Sequence, residues 1–325
     1  MDALYKCKGS VLLLGLSLVL PCSAQSLTAE EAFREGNIAF AQKNYTQALE
    51  RYSESIELNP TDAHAYYNRG VVYEDLKDTI GALADYDKAI VLNPHFAQAY
   101  YNRACLEKAS GFNEGALRDL NAAIEANPSY SKAYLLRGHL KTNAAQIQDA
   151  LADYNKSIEL MPYIPEAFYN RGVLREKLGD KSGAFEDFSL AIELNPTFVQ
   201  AYYNRGIVHE KFGNTQDALV DFNKAIEVDP TYHKAYFSRG NLKSQAGDKE
   251  GAVEDYTVAL QAYPDNAHVY FNRSMAKALL NDKAGALADI ERATHLFDQQ
   301  KDTIHHQKSV QLRSKIETHF IDLGK

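Results

Sequence analysis

Small and large side chains alternate along this chain on a strict 34-residue period. Pro60, Pro94, Pro128, Pro162, Pro196, Pro230 and Pro264 stand 34 residues apart without insertion or deletion. A fixed period of that length marks stacked supersecondary units. Counting back from each proline gives eight units: 29–62, 63–96, 97–130, 131–164, 165–198, 199–232, 233–266 and 267–300. With positions numbered 1–34, position 20 is alanine in all eight, from Ala48 to Ala286. Position 8 is glycine except at Ala104 and Ser274, and position 27 is alanine or serine throughout. Position 24 is large: Tyr52, Tyr86, Leu120, Tyr154, Phe188, Phe222, Tyr256 and Ile290. Small residues at fixed helical places facing large ones predict two helices packed closely as a hairpin.

The boundaries carry their own chemistry. Gly179-Asp180, Gly213-Asn214 and Gly247-Asp248 each pair a helix-stop glycine with an N-cap for the next helix. The proline at position 32 ends the second helix because it lacks an amide hydrogen and clashes with the preceding turn. Each unit therefore reads as helix, tight turn, helix, short link.

This pattern resembles the tetratricopeptide repeat family: an aromatic at 4, small residues at 8, 20 and 27, an aromatic at 24 and proline at 32. The resemblance covers 29–300. It implies an all-α fold, a right-handed α-solenoid of eight helix-turn-helix repeats whose first helices line a concave groove. Departures fall at the ends, where caps are expected. Repeat 1 has Ala32 and Ala39 where aromatics are usual, and repeat 8 has Asp298 in place of the proline. Beyond it, Ile304, Leu312, Ile316, Phe320 and Leu323 fall on one helical stripe, with Gly324 as a stop. Residues 301–325 are therefore expected to form a C-terminal capping helix, centred on 302–323.

Two charged columns test the register. Position 7 is arginine in repeats 2–8, from Arg69 to Arg273, and position 23 is aspartate in the same seven, from Asp85 to Asp289. Repeat 1 reverses both, with Glu35 and Arg51. The double reversal predicts that 7 and 23 of one repeat form an ion pair. An arginine ladder gripping an acidic ligand is the alternative use.

If positions 4, 8 and 11 face the partner helix, then 2, 5, 6, 9, 12 and 13 lie toward the groove. Position 6 places Asn68, Asn102, Asn170, Asn204 and Asn272 there. A side-chain amide carries both donors and an acceptor, so a row of them can hold an extended peptide by its main chain. The row resembles the asparagine ladder in the repeat domain of O-GlcNAc transferase. Position 5 adds Tyr67, Tyr101, Tyr169 and Tyr203 beside it. These nine residues are the candidate peptide-binding set. The competing reading makes the asparagines common wording of this helix and the aromatics core between repeats.

A protein or peptide ligand is thus the expected partner, and an interaction scaffold or adaptor the expected role. End-to-end self-assembly into a homo-oligomer, with 302–323 as its regulator, is the alternative. The carboxylate clamp of co-chaperones in this family is incomplete here. Asn37 and Asn68 match it, but Phe33 stands where the clamp has lysine, and Gln98 and Asn102 stand where it has lysine and arginine.

Charge, cysteines and the N-terminus narrow the class further. The net charge is −8. Asp2, Lys6 and Lys8 give residues 1–24 a net +1, which leaves −9 on the rest. An acidic chain lacking a basic run argues against nucleic acid and anionic membrane surfaces. Residues 1–24 read as a secretory signal peptide, with Lys6 and Lys8, an apolar stretch Val11 to Leu20, and cleavage before Gln25. Ten residues rise about 15 Å, half of a roughly 30 Å hydrocarbon core, so no membrane span is expected. The chain is expected to be exported, periplasmic or secreted, with a lipoprotein anchor at Cys22 as the rival. Of three cysteines, Cys7 and Cys22 would leave with the signal, so Cys105 is expected as a small core thiol without an intramolecular disulfide.

Neither a phosphate-binding glycine loop nor a nucleophile elbow appears, and His209-Glu210 is only a fragment of a zinc-protease motif. His305 and His306 are adjacent, splay about 100° apart on a helix and make a poor metal pair. No catalytic residue, metal or cofactor is expected. The sequons at Asn44, Asn155 and Asn272 read as chance matches.

Overall fold

The computed structural model describes residues 27–318. The expected signal peptide and anchor, and Phe320, Leu323 and Gly324 of the expected cap, lie outside the described residues. The chain divides into two compact units, one ending at Pro162 and the other starting at Tyr163.

In the first unit four hairpins follow one another: α1 (Ala29–Ala41) with α2 (Tyr45–Leu58), α3 (Ala63–Asp75) with α4 (Thr79–Leu92), α5 (Ala97–Ala109) with α6 (Asn113–Ala126), and α7 (Ser131–Asn143) with α8 (Ile147–Leu160). In the second unit α9 (Pro165–Lys177) pairs with α10 (Lys181–Leu194), α11 (Val199–Lys211) with α12 (Thr215–Val228), α13 (His233–Gln245) with α14 (Lys249–Ala262), and α15 (Ala267–Leu279) with α16 (Lys283–Gln299), and α17 (Thr303–Thr318) follows. Each first helix packs on its hairpin partner, and within each unit the second helix of one hairpin packs on the first helix of the next, the arrangement of an all-α solenoid.

The small and large columns meet as the period predicts. A Cβ placed on Gly36, Gly70, Gly138, Gly172, Gly206 or Gly240 would come within 2.7–2.9 Å of the position 24 ring of its own hairpin. The two exceptions compensate: Ala104 accompanies the smaller Leu120, and Ser274 accompanies Ile290. Position 15 turns every hairpin through a positive φ. Glycine supplies it at Gly111, Gly179, Gly213 and Gly247, whereas Lys43, Lys77, Ala145 and Asn281 adopt φ of 58–66°. Asp78, Asp180, Asp248 and Asp282 then cap the second helix with their carboxylates.

Helix α16 shows the converse of the proline rule. The earlier second helices span 14 residues, and α16, which meets Asp298 instead of proline, spans 17. Its extra turn brings Leu296 and the fully buried Phe297 against Leu312 and Ile316 of α17. The apolar end of the last hairpin is thereby covered. Ile304 departs from expectation: it is 64% exposed and takes no part in that contact.

Cys105 is buried in α5, as expected of a core side chain. Cys7 and Cys22, expected to leave with the signal, lie outside the described residues.

Candidate functional site

The arginine column is spent inside the fold. Arg69, Arg103, Arg137, Arg171, Arg205, Arg239 and Arg273 each grip the aspartate of their own repeat with two parallel hydrogen bonds. The Nη2 to Oδ1 distances are 2.6–2.8 Å. The seven aspartate side chains are only 1–8% exposed. Arg51 meets Glu35 at 3.2 Å, so the reversed pair of repeat 1 forms as well.

The third arm of the guanidinium reaches the preceding hairpin. Nη1 donates to Ser53 from Arg69, to Asp87 from Arg103, to Asn121 from Arg137, to Ser189 from Arg205, to Asn223 from Arg239 and to Thr257 from Arg273, at 2.6–3.2 Å. The position 4 ring of the same repeat lies 5.3–5.8 Å from each guanidinium carbon. A guanidinium held on three sides is a staple between hairpins and not a ligand ladder. The short polar column at position 25 was the signal for this contact, and sequence reading passed over it.

The amide and tyrosine columns also bridge hairpins, with a remainder left over. First helices touch within a unit, α1 with α3, α9 with α11 and α13 with α15. Asn68 Nδ2 donates to Asn37 Oδ1 at 2.9 Å, and Asn272 Nδ2 to Asn241 Oδ1 at 2.9 Å. Each of those acceptors also receives a position 24 hydroxyl, from Tyr52 at 2.7 Å and Tyr256 at 2.9 Å. Where position 9 offers no asparagine, the amide turns to a tyrosine. Asn204 donates to Tyr169 Oη at 3.0 Å, and Asn102 lies 3.3 Å from both Tyr67 Oη and Tyr86 Oη.

Burial sorts the nine expected residues. Tyr67, Tyr101 and Asn102 are buried, whereas Asn68, Asn170, Asn204, Asn272, Tyr169 and Tyr203 are half-buried. The tyrosine rings pack on the aromatic that closes their own repeat, as Tyr67 on Phe96, Tyr101 on Tyr130, Tyr169 on Phe198 and Tyr203 on Tyr232. Tyr67, Tyr101 and Asn102 are thus core between hairpins, because the ring at position 34 and the phenols of the preceding hairpin close over them. Burial pushes the hydroxyls of Tyr67, Tyr101, Tyr154 and Tyr256 up to about 12, so they stay protonated.

What the row can offer is acceptors. Among the described residues, Asn68, Asn204 and Asn272 each spend an N–H on the preceding hairpin and make no hydrogen bond through Oδ1. Asn102 Oδ1 also has no partner but is sealed from solvent.

The histidine reading changes too. His305 and His306 do not converge, but His305 meets His268 of α15, ring centroids 4.7 Å apart, with Asp302 Oδ2 2.7 Å from His305 Nδ1. No described helix is long and apolar enough to cross a membrane.

Models of the tetratricopeptide repeat match residues 63–96, 165–198, 199–232 and 237–301, and a TPR repeat model matches 36–77. Together these segments take in more than half of the chain. A stretch of 48 residues is 46% identical to Hsp70-Hsp90 organizing protein 1 of Glycine max, covering 15% of this chain and 8% of that protein. The chain therefore spans less than a tenth of that relative's length. Among solved structures, YrrB, described as a TPR protein with an unusual peptide-binding site, is 26% identical with a TM-score of 0.52, over 59% of this chain and 99% of that one. A tetratricopeptide repeat protein from Parabacteroides merdae is 21% identical with a TM-score of 0.54, over 76% of this chain and 98% of that one, and shows the fold alone.

Proposed function

Because the chain belongs to the tetratricopeptide repeat family, we propose that it is a protein–protein interaction scaffold whose first-helix face holds an extended segment of a partner. The observation that carries the reading is the anchored amide on first helices of each unit, Asn68 in the first and Asn204 with Asn272 in the second. Asn68, Asn204 and Asn272 are each fixed by one N–H, and each keeps a carbonyl oxygen that pairs with nothing among the described residues. An immobilised acceptor suits a main-chain N–H of an extended ligand, since its own ordering cost is already met. The flanking face is mixed, with Glu166, Gln200 and Lys234 at position 2 of successive repeats. Main-chain contacts would thus carry affinity, and position 2 would tune sequence preference. The likeness to YrrB supports a peptide as the class of ligand.

The relation to the Hsp70-Hsp90 organizing protein does not carry its partner over. Phe33, Gln98 and Asn102 replace the cations of a carboxylate clamp, and Asn37 and Asn68 are bonded to each other.

Residues 1–24 support export as part of the same proposal, and N-terminal sequencing of the mature protein tests it: a start at Gln25 supports it and a start at Met1 refutes it. The binding model is tested by capture of partners in the native compartment, comparing wild type with a chain carrying Asn68→Ala, Asn204→Ala and Asn272→Ala together. Capture should fall at least about tenfold while helicity is retained. Unchanged capture refutes the first-helix face as the binding surface. The alternative, end-to-end association, is read by sedimentation with and without residues 303–318.

A further inference from the structure

We propose that His268, Asp302 and His305 form a binding site for a divalent transition-metal ion of the zinc class, which clasps α17 onto the last hairpin. One ligand atom from each residue lies within 4.8 Å of the others. Three different elements supply them: the first turn of α15, the link after α16, and the first turn of α17.

Two of the three are already held in place. Asp302 accepts the backbone N–H of His305 at 3.0 Å through Oδ1, and its Oδ2 lies 2.7 Å from His305 Nδ1. Phe297, fully buried, underlies both imidazoles: its ring centre is 5.4 Å from that of His305, nearly parallel, and 5.0 Å from that of His268, edge-on. The third ligand, His268, is exposed and can turn toward the pair.

Ligand atoms about 2.0–2.1 Å from a tetrahedral zinc ion stand roughly 3.3 Å apart. The observed spread of up to 4.8 Å therefore needs a contraction of about 1.5 Å at the exposed member, while the 2.7 Å contact of Asp302 Oδ2 with His305 Nδ1 opens by about 0.6 Å as that nitrogen gives up its proton to ligate. Two imidazoles with one carboxylate suit zinc, nickel or copper, whereas calcium and magnesium prefer all-oxygen shells. Three protein ligands leave a fourth position for water.

The ion would reinforce a thin contact between α15 and α17, made by the rings of His268 and His305. Helix α17 rests on α16, and α16 on α15. A metal bound to His268 and His305 would join α15 to α17 and hold the cover over Phe297 and Leu296. Metal occupancy would then set how firmly the end of the array is closed.

The test uses the full chain without a histidine tag, stripped with chelator, and Zn²⁺ or Co²⁺ alone as the probe. Calorimetry with Zn²⁺ should give one site, and Co²⁺ should produce a visible ligand-field spectrum. Amide hydrogen exchange across α17 should slow on Zn²⁺ addition. His268→Ala and His305→Ala should each weaken Zn²⁺ by at least about tenfold to a hundredfold, and Asp302→Asn, which keeps the cap to His305, by about tenfold. His306→Ala and His295→Ala should bind as the parent does. Since His268 is exposed, its replacement leaves the fold intact, which circular dichroism checks. No binding at about 100 μM Zn²⁺, or equal binding by the parent, His268→Ala and His305→Ala, overturns the assignment.

Discussion

Replacing Gly206 by alanine should loosen the hairpin of α11 and α12, and a second change should restore it. The Cβ of the alanine would stand 2.7 Å from Cε1 and 2.9 Å from Cδ1 of Phe222, where ordinary contact begins at 3.4 Å. The ring would have to retreat by about 0.7 Å. Phe222 is fully buried beside Ala218 and Ala225, so it has little room to do so. Overpacking of this kind costs about 1–3 kcal/mol. Two ring contacts under 3.0 Å put this site in the upper part of that range, about 2–3 kcal/mol, and alanine in place of glycine returns about 1 kcal/mol of helix propensity, which leaves a net loss of about 1–2 kcal/mol. Phe222→Leu alone should cost about 1 kcal/mol through lost contact. Together the two changes recreate the Ala104–Leu120 pairing that the third hairpin already uses. The double variant should therefore be more stable than the sum of the single effects by about 1–2 kcal/mol. Guanidinium unfolding, fitted with a nearest-neighbour scheme suited to a repeat array, measures all four corners of the cycle. A coupling below about 0.5 kcal/mol, or a Gly206→Ala protein as stable as its parent, would refute the reasoning.

Other outcomes follow from the same contacts. Lys77→Gly or Ala145→Gly should raise stability by about 1 kcal/mol in the same unfolding assay, because both residues sit in left-handed turns at φ of 66° and 58°. Asp221→Ala should cost about 2–4 kcal/mol, since it strands Arg205 beside a site that is 3% exposed, whereas Arg51→Ala should cost less than about 1 kcal/mol because its pair with Glu35 is far more open. Asn102→Leu should be neutral or stabilising by up to about 1 kcal/mol, because its buried carbonyl oxygen has no partner and Leu136 fills the same place in the next repeat. A loss of more than 1 kcal/mol there would show that Asn102 is satisfied by water or a ligand.

The fold was legible because its determinants are local and periodic. Gly206 and Phe222 lie 16 residues apart in every repeat that carries the pair, so close packing could be inferred from the columns alone. The Arg–Asp pairing was legible for a special reason: repeat 1 exchanges the two charges, and only contact within a repeat tolerates that exchange. The binding row was less legible. Which group an asparagine at position 6 bonds depends on whether position 9 of the preceding repeat is another asparagine, as at Asn37 and Asn241, or the amide must turn to a tyrosine, as at Asn102 and Asn204. That choice belongs to side-chain rotamers between repeats, not to spacing within one. The meeting of His268 with His305 depends on where α17 folds back, which no periodicity encodes. The guanidinium staple to position 25 could have been seen in the unbroken run of short polar residues from Ser53 to Thr257.

The central claim is that the first-helix face is the working surface of the stacked hairpins. Photo-crosslinking amino acids placed singly at Gln200 and Lys234 on first helices, and at Leu190 and Val220 on second helices, test it in the native compartment. The account predicts that one partner segment is captured from Gln200 and Lys234 and lost with the triple asparagine variant. Capture of that segment from Leu190 and Val220 instead would contradict it.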